Sequence, residues 1–326
     1  MTNTRSLLIA AFALGPGAFS LWPAALGPGP LALNRATAQQ PPATEVYVAS
    51  LEIAGGRAKA GAPVNISRNA GYDNQPSFLP NSSAILFSSN RDGKQTDIYR
   101  YDIAAKQVTQ LTKTEDNEYS PLVTPDGRTF SSVRGQKQLL WRYNLDGSDA
   151  GGIVEAPFLV GYHVWIDATH LAMFVLSTSQ GEPNTMRVWD TTTKTDEIVA
   201  KSIGRSLLMR PKTGTVSFMT SVKGEPSVVK AFDPRTKAIA TLGPALEGSQ
   251  DAAWLADGRL VMARDLTLHV WSPGATAWTE LLTFTPGADA FNRITRMAIS
   301  PDGKWIAFVA EPKTSEADHL ERQRRP

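Results

Sequence analysis

The chain has 326 residues, with 33 lysines and arginines, 31 aspartates and glutamates, 42% hydrophobic residues, no cysteine and four histidines (His163, His170, His269, His319). The lack of thiols excludes a disulfide framework, thiolate zinc sites and cysteine nucleophiles, and four imidazoles leave little material for histidine chemistry. Residues 1–38 carry Arg5 and Arg35 and no acid, so the remainder is balanced at 31 bases and 31 acids, which argues against nucleic acid as a partner and gives no electrostatic pull toward anionic lipid.

The first segment reads as an export signal. Arg5 forms a short basic region, Leu7 to Leu14 an apolar stretch, and Ala36-Thr37-Ala38 a small-residue cleavage site before Gln39. Pro16, Pro23, Pro28 and Pro30 would break a spanning helix, so no stable membrane insertion is expected after cleavage. Residues 39–45 follow as a linker.

Two strand patterns come next, Val46–Ile53 and Pro63–Ser67, and then a repeat begins. A short apolar run, a tight turn and a second apolar run recur at 77–87, 122–133, 164–175, 208–219, 253–263 and 298–310. With Pro80, Pro125, Asp167, Pro211, Ala256 and Pro301 as equivalent anchors, the spacings are 45, 42, 44, 45 and 45. Six copies at that period match four-stranded propeller blades. In Pro125-Asp126-Gly127 and Pro301-Asp302-Gly303, proline presets φ, aspartate bonds the local backbone and glycine takes positive φ. Third strands follow, each ending in an aromatic (Tyr101, Tyr143, Trp189, Phe232, Trp271) before a small polar residue. Fourth strands are expected at 107–112 and around Ile153, Ile198, Ile239 and Leu281.

The sixth copy has two strands and then a charged tail, residues 311–326. Ile66 precedes Pro80 by the same 14 residues that separate Leu111 from Pro125. The N-terminal strands are therefore expected to complete the last blade and remove its exposed edge. The fold class is all-β, a single six-bladed propeller over residues 46–310, with Trp305 expected in its core.

The best-preserved blade reads Pro76, Phe87-Ser88-Ser89-Asn90-Arg91-Asp92-Gly93, Asp97-Ile98-Tyr99 and Leu111-Thr112. Its core returns in Thr124-Pro125-Asp126-Gly127 and Ser300-Pro301-Asp302-Gly303. This pattern resembles the TolB-type six-bladed propeller, a WD-repeat-like family. The resemblance implies a periplasmic protein acting through partner or ligand contacts on the propeller faces. The α/β domain that precedes the propeller in TolB has no room in residues 39–45.

No G-x-S-x-G elbow, phosphate loop, H-E-x-x-H or EF-hand loop occurs. No catalytic residue, metal site or cofactor is assigned. The loops entering the inner strands gather at the central channel and carry Asp73, Asn74, Glu118, Arg205, Asp251 and Arg293. Such a ring of unlike charges suits a polar ligand or a charged segment of a cell-envelope protein. The leading expectation is a monomeric, non-catalytic, periplasmic or secreted binding propeller. Two alternatives stand beside it: a hydrolase or lyase with an acidic rim, and an accessory propeller of a peptidase-like assembly.

Overall fold

The computed structural model describes residues 43–54, 56–91, 93–286 and 291–313. The export segment, residues 39–42 of the linker and residues 314–326 of the tail lie outside these residues. No helix occurs among the described residues, and none is long and apolar enough to cross a membrane.

The chain enters through β1 (Glu45–Ala54), β2 (Arg57–Ala60) and β3 (Val64–Asn65). Blade one is β4 (Asp73–Phe78), β5 (Ala84–Ser89), β6 (Asp97–Asp102) and β7 (Gln107–Gln110). Blade two is β8 (Glu118–Val123), β9 (Thr129–Arg134), β10 (Leu139–Asn144) and β11 (Asp149–Val154). Blade three is β12 (Leu159–Trp165), β13 (His170–Leu176), β14 (Thr185–Asp190) and β15 (Thr195–Lys201). Blade four is β16 (Ile203–Met209), β17 (Val216–Thr220), β18 (Val228–Phe232) and β19 (Ile239–Pro244). Blade five is β20 (Ala252–Trp254), β21 (Leu260–Arg264), β22 (Thr267–Trp271) and β23 (Thr279–Thr283); β24 (Phe291–Ile299) and β25 (Trp305–Pro312) begin blade six. Each of the first five is an antiparallel meander in chain order, so the architecture is a six-bladed β-propeller.

Blade six closes the ring. β1 pairs antiparallel with β25, Tyr47 opposite Phe308, giving the order β2-β1-β25-β24. The fourth-strand place is divided between two short pieces, which the sequence did not foretell. β3 pairs with Tyr47 and Val48, and β2 with Leu51 to Ala54. A ten-residue β1 is too long for one short partner, and Gly56, at φ 82°, lets the chain double back on its far half.

Apolar clusters fill the spaces between neighbouring blades. Ile85 and Phe87 of β5 face blade six, whereas Ala84 and Leu86 face blade two. In β1, Val46 and Val48 pack toward blade one, and Tyr47, Ala49 and Leu51 toward blade five. Alternation of the pleat buries both faces, which is why these strands are apolar runs and not alternating ones. All five third-strand aromatics are buried, from Tyr143 at 0% exposure to Tyr101 at 6%. Trp305, expected in the core, is half-buried: it sits at the start of β25, opposite Ser50, against the edge of the cluster between blades six and one.

The first turns repeat one device. Asp126 Oδ1 accepts from the Arg128 amide (2.9 Å) and Asp302 Oδ1 from the Lys304 amide (3.1 Å), with Gly127 and Gly303 at φ 68° and 72°. Asn81, Asp167 and Asp257 do the same for the amides of Ser83, Thr169 and Arg259.

Candidate functional site

The inner strands are irregular where they enter the channel. The register with the second strand breaks between Asn74 and Ser77, Tyr119 and Leu122, Val160 and Tyr162, Ile203 and Leu207, and again before Arg296. Gln75 and Ser120 take φ values of 58° and 54° at two of these breaks. A bulge re-aims the side chains around it. Gln75, Ser120, Tyr162, Ser206, Asp251 and Arg296 each stand five positions ahead of their blade's anchor, and all six line the central cavity.

Hydrogen bonds tie this layer together. Gln75 Oε1 accepts from the Ser120 amide (2.9 Å) and the Ser88 hydroxyl (2.8 Å), and Ser120 Oγ donates to Gly161 O (3.3 Å). Arg205 Nη2 reaches from blade four to Thr295 O of blade six (2.7 Å). Arg296 Nη2 reaches from blade six to Tyr162 Oη of blade three (3.1 Å), its guanidinium 4.7 Å from the Tyr162 ring centre. Asp251 Oδ2 lies 3.8 Å from Nε of both arginines, and its Oδ1 accepts from the Met297 amide (3.4 Å). Below this layer a cavity of ≈350 Å³ runs past His163 and Trp254 to Pro211 and Pro301 at the first turns.

Burial and charge oppose one another here. Burial raises the Asp251 carboxyl above its ordinary range, and the two guanidiniums offset part of that. Burial also works against ionisation of Tyr162, but Arg296 and Arg205 outweigh it and pull the phenol below its ordinary value. Burial lowers Arg205, with Arg296 repelling it further. His163 Nε2 meets Ser131 Oγ at 2.6 Å, and burial pushes the ring down to about 3, so it is neutral in the channel wall. His170 is spent on Asp167 at a first turn (3.0 Å).

The six residues singled out from sequence divide. Arg205 and Asp251 meet at the channel. Asp73 and Glu118 are fully buried and do not line the cavity. Asp73 Oδ2 accepts from Asn69 Nδ2 (3.1 Å), in a polar pocket shared with Glu45 and Ser67. Glu118 accepts from the hydroxyls of Thr112 (3.0 Å), Thr114 and Tyr143 (3.2 Å). Burial raises each of these two carboxyls to about 7. Asn74 caps its own bulge, accepting from the Gln75 amide (2.8 Å). Arg293 lies at the surface, paired with Glu311 (2.9 Å), and does not join the cluster. Arg296 takes the place expected of it. Counting five positions back from Pro301, instead of eight, would have found it.

No protein-family model matches the sequence, and no curated protein matches it. The structure is similar to a candidate TolB from Agrobacterium tumefaciens, with a TM-score of 0.62, 14% identity, and 83% of this chain and 99% of that one covered. It is similar to a gluconolactonase from Xanthomonas campestris, with a TM-score of 0.59, 10% identity and coverage of 85% and 99%. With TolB from Acinetobacter baumannii the TM-score is 0.53 at 12% identity, over 83% of this chain and 64% of that one. At these identities the likeness carries the propeller fold alone.

Proposed function

We propose that the chain is an exported binding propeller that takes a polar ligand, or a polar segment of an envelope protein, in its central channel. The observation that carries this reading is the convergence of Tyr162, Arg205, Asp251 and Arg296, from four different blades, on the mouth of a ≈350 Å³ cavity. That volume falls within the range of small-ligand pockets, about 300–1,000 Å³. An acidic-rim hydrolase would need paired carboxylates at the reacting bond, and of the three rim acids Asp73, Glu118 and Asp251 only Asp251 lines the cavity. Among the described residues no three His, Asp or Glu side chains come together to hold a metal ion.

The test is native mass spectrometry of the mature chain against a mixed panel of amino acids, sugars, organic acids and nucleosides. A retained member that is lost from a folded Met209→Trp variant, whose indole would fill the cavity, supports the reading. Retention by that variant refutes channel binding, and turnover of the retained member replaces binding with catalysis. Export is tested by the N-terminus of the mature protein, which should begin at Gln39.

A further inference from the structure

Two arginines share one carboxylate at the channel mouth. Asp251, even fully ionised, cancels one of the two charges, so the layer carries a surplus of at least one positive charge. Asp251 also stops short of hydrogen bonding either guanidinium: its nearest approach to each Nε is 3.8 Å, beyond hydrogen-bond reach. Both Nε–H groups are buried without an acceptor. A buried donor with no acceptor costs about 1–3 kcal/mol, and buried donors of this kind ordinarily have a partner. The surrounding groups do not remove the surplus. His163 is neutral, and Asp251 is the one carboxylate among the residues lining the cavity. The cavity continuing from this point has apolar walls, among them Phe78, Leu122, Met209, Trp254 and Ile299.

We infer that the channel binds a small organic monocarboxylate, its carboxylate held between Arg205 and Arg296 at the mouth and its body lying along the cavity toward Pro211 and Pro301. A planar carboxylate matches the fork of guanidinium donors. One surplus charge suits a monoanion better than a phosphate dianion, and the apolar walls suit an organic body. The inference rests on the channel being the binding site and adds the chemical class of what binds.

The test uses isothermal titration of the mature chain in carboxylate-free buffer. The probes are propionate, lactate and benzoate, their uncharged amides, and inorganic phosphate. At least one carboxylate should bind while its amide does not. Its affinity should fall at least about tenfold in Arg205→Gln and in Arg296→Gln, as expected for loss of a charge-assisted pair. Arg235→Gln, which changes net charge the same way at a side chain 82% exposed, should bind like wild type. If Arg296→Gln does not fold, Arg296→Lys keeps the charge without the fork and should still weaken binding. Amides binding as well as carboxylates would overturn the inference and leave the channel-binding reading intact. Phosphate binding more tightly than every carboxylate would overturn it too, as would carboxylate binding indifferent to both arginines, or no binding of any probe.

Discussion

Replacing Asp73 with asparagine should remove one pH-dependent component of stability. The carboxyl is fully buried, and burial lifts it to about 7 from an ordinary 3.8, with Glu45 adding to the rise and Ser89, Asn69 and Arg91 opposing it. The folded state therefore holds this proton more tightly than the unfolded chain does. The contribution is fully present below the ordinary value, and it is lost as pH rises to about 7. A gap of about three pH units at ~1.4 kcal/mol each makes that loss ~4 kcal/mol. In Asp73→Asn the amide oxygen can still accept from Asn69. Urea unfolding followed by tryptophan fluorescence, repeated from pH 4 to pH 8, reads the difference between the two proteins. The variant should match wild type near pH 4 and exceed it by up to ~4 kcal/mol at pH 8. Titrating groups that do not interact with Asp73, Glu118 included, are common to both and cancel. Parallel curves across that range, or a variant weaker at pH 8, would refute the argument.

Deleting residues 1–67 leaves blade six with β24 and β25 alone and uncovers the faces of Phe308 and Val309 that β1 buries, so unfolding should become broad and shift well below wild type in a thermal melt. A sharp transition at the wild-type temperature would mean that β1 does not close the ring. Gly147 has φ 90°, and an added Cβ would stand 1.9 Å from Leu111 O. Gly147→Ala should therefore cost on the order of 2–4 kcal/mol, against about 1 kcal/mol for Gly127→Ala, where φ is 68° and nothing lies within 4 Å. Equal melts for the two would remove the close approach as a constraint.

The architecture was legible because one physical unit repeats. Each blade needs the same two apolar runs and a turn held by a short polar side chain, Asn or Asp in five blades and Thr213 in blade four, so a period of 42 to 45 residues survives even where identities do not. Closure was legible through a single offset, and the structure supplies its reason. Val46 N donates to Ser67 Oγ (2.9 Å) as Ile98 N donates to Thr112 Oγ1 (2.8 Å), so the residue after each fourth-strand position caps the third strand with its hydroxyl. Trp305 misled because the turn signal fixes where the second strand starts, but not how much of its first residue the neighbouring blade covers.

The site was only half legible, and the bulges are the cause. In a regular strand the side-chain direction follows parity, so counting from the anchor assigns each residue to a face. Five of the six inner strands carry extra residues between the entry loop and the anchor, one in blades one, two and three and two in blades four and six, so one count cannot be carried from blade to blade. Asp73 and Glu118, seven positions ahead of their anchors, agree with one another and go to the seams between blades. Asp251, five ahead, belongs with Tyr162 and Arg296 in the channel. Treating the three acids as equivalent merged two environments that share a charge and nothing else. In the seams, oxygen and amide donors surround a carboxyl that burial keeps near its protonated form. At the channel mouth two guanidiniums outnumber one carboxylate. The same residue type thus serves cohesion in one place and leaves a charge to be answered in the other, and its distance ahead of the anchor decides which.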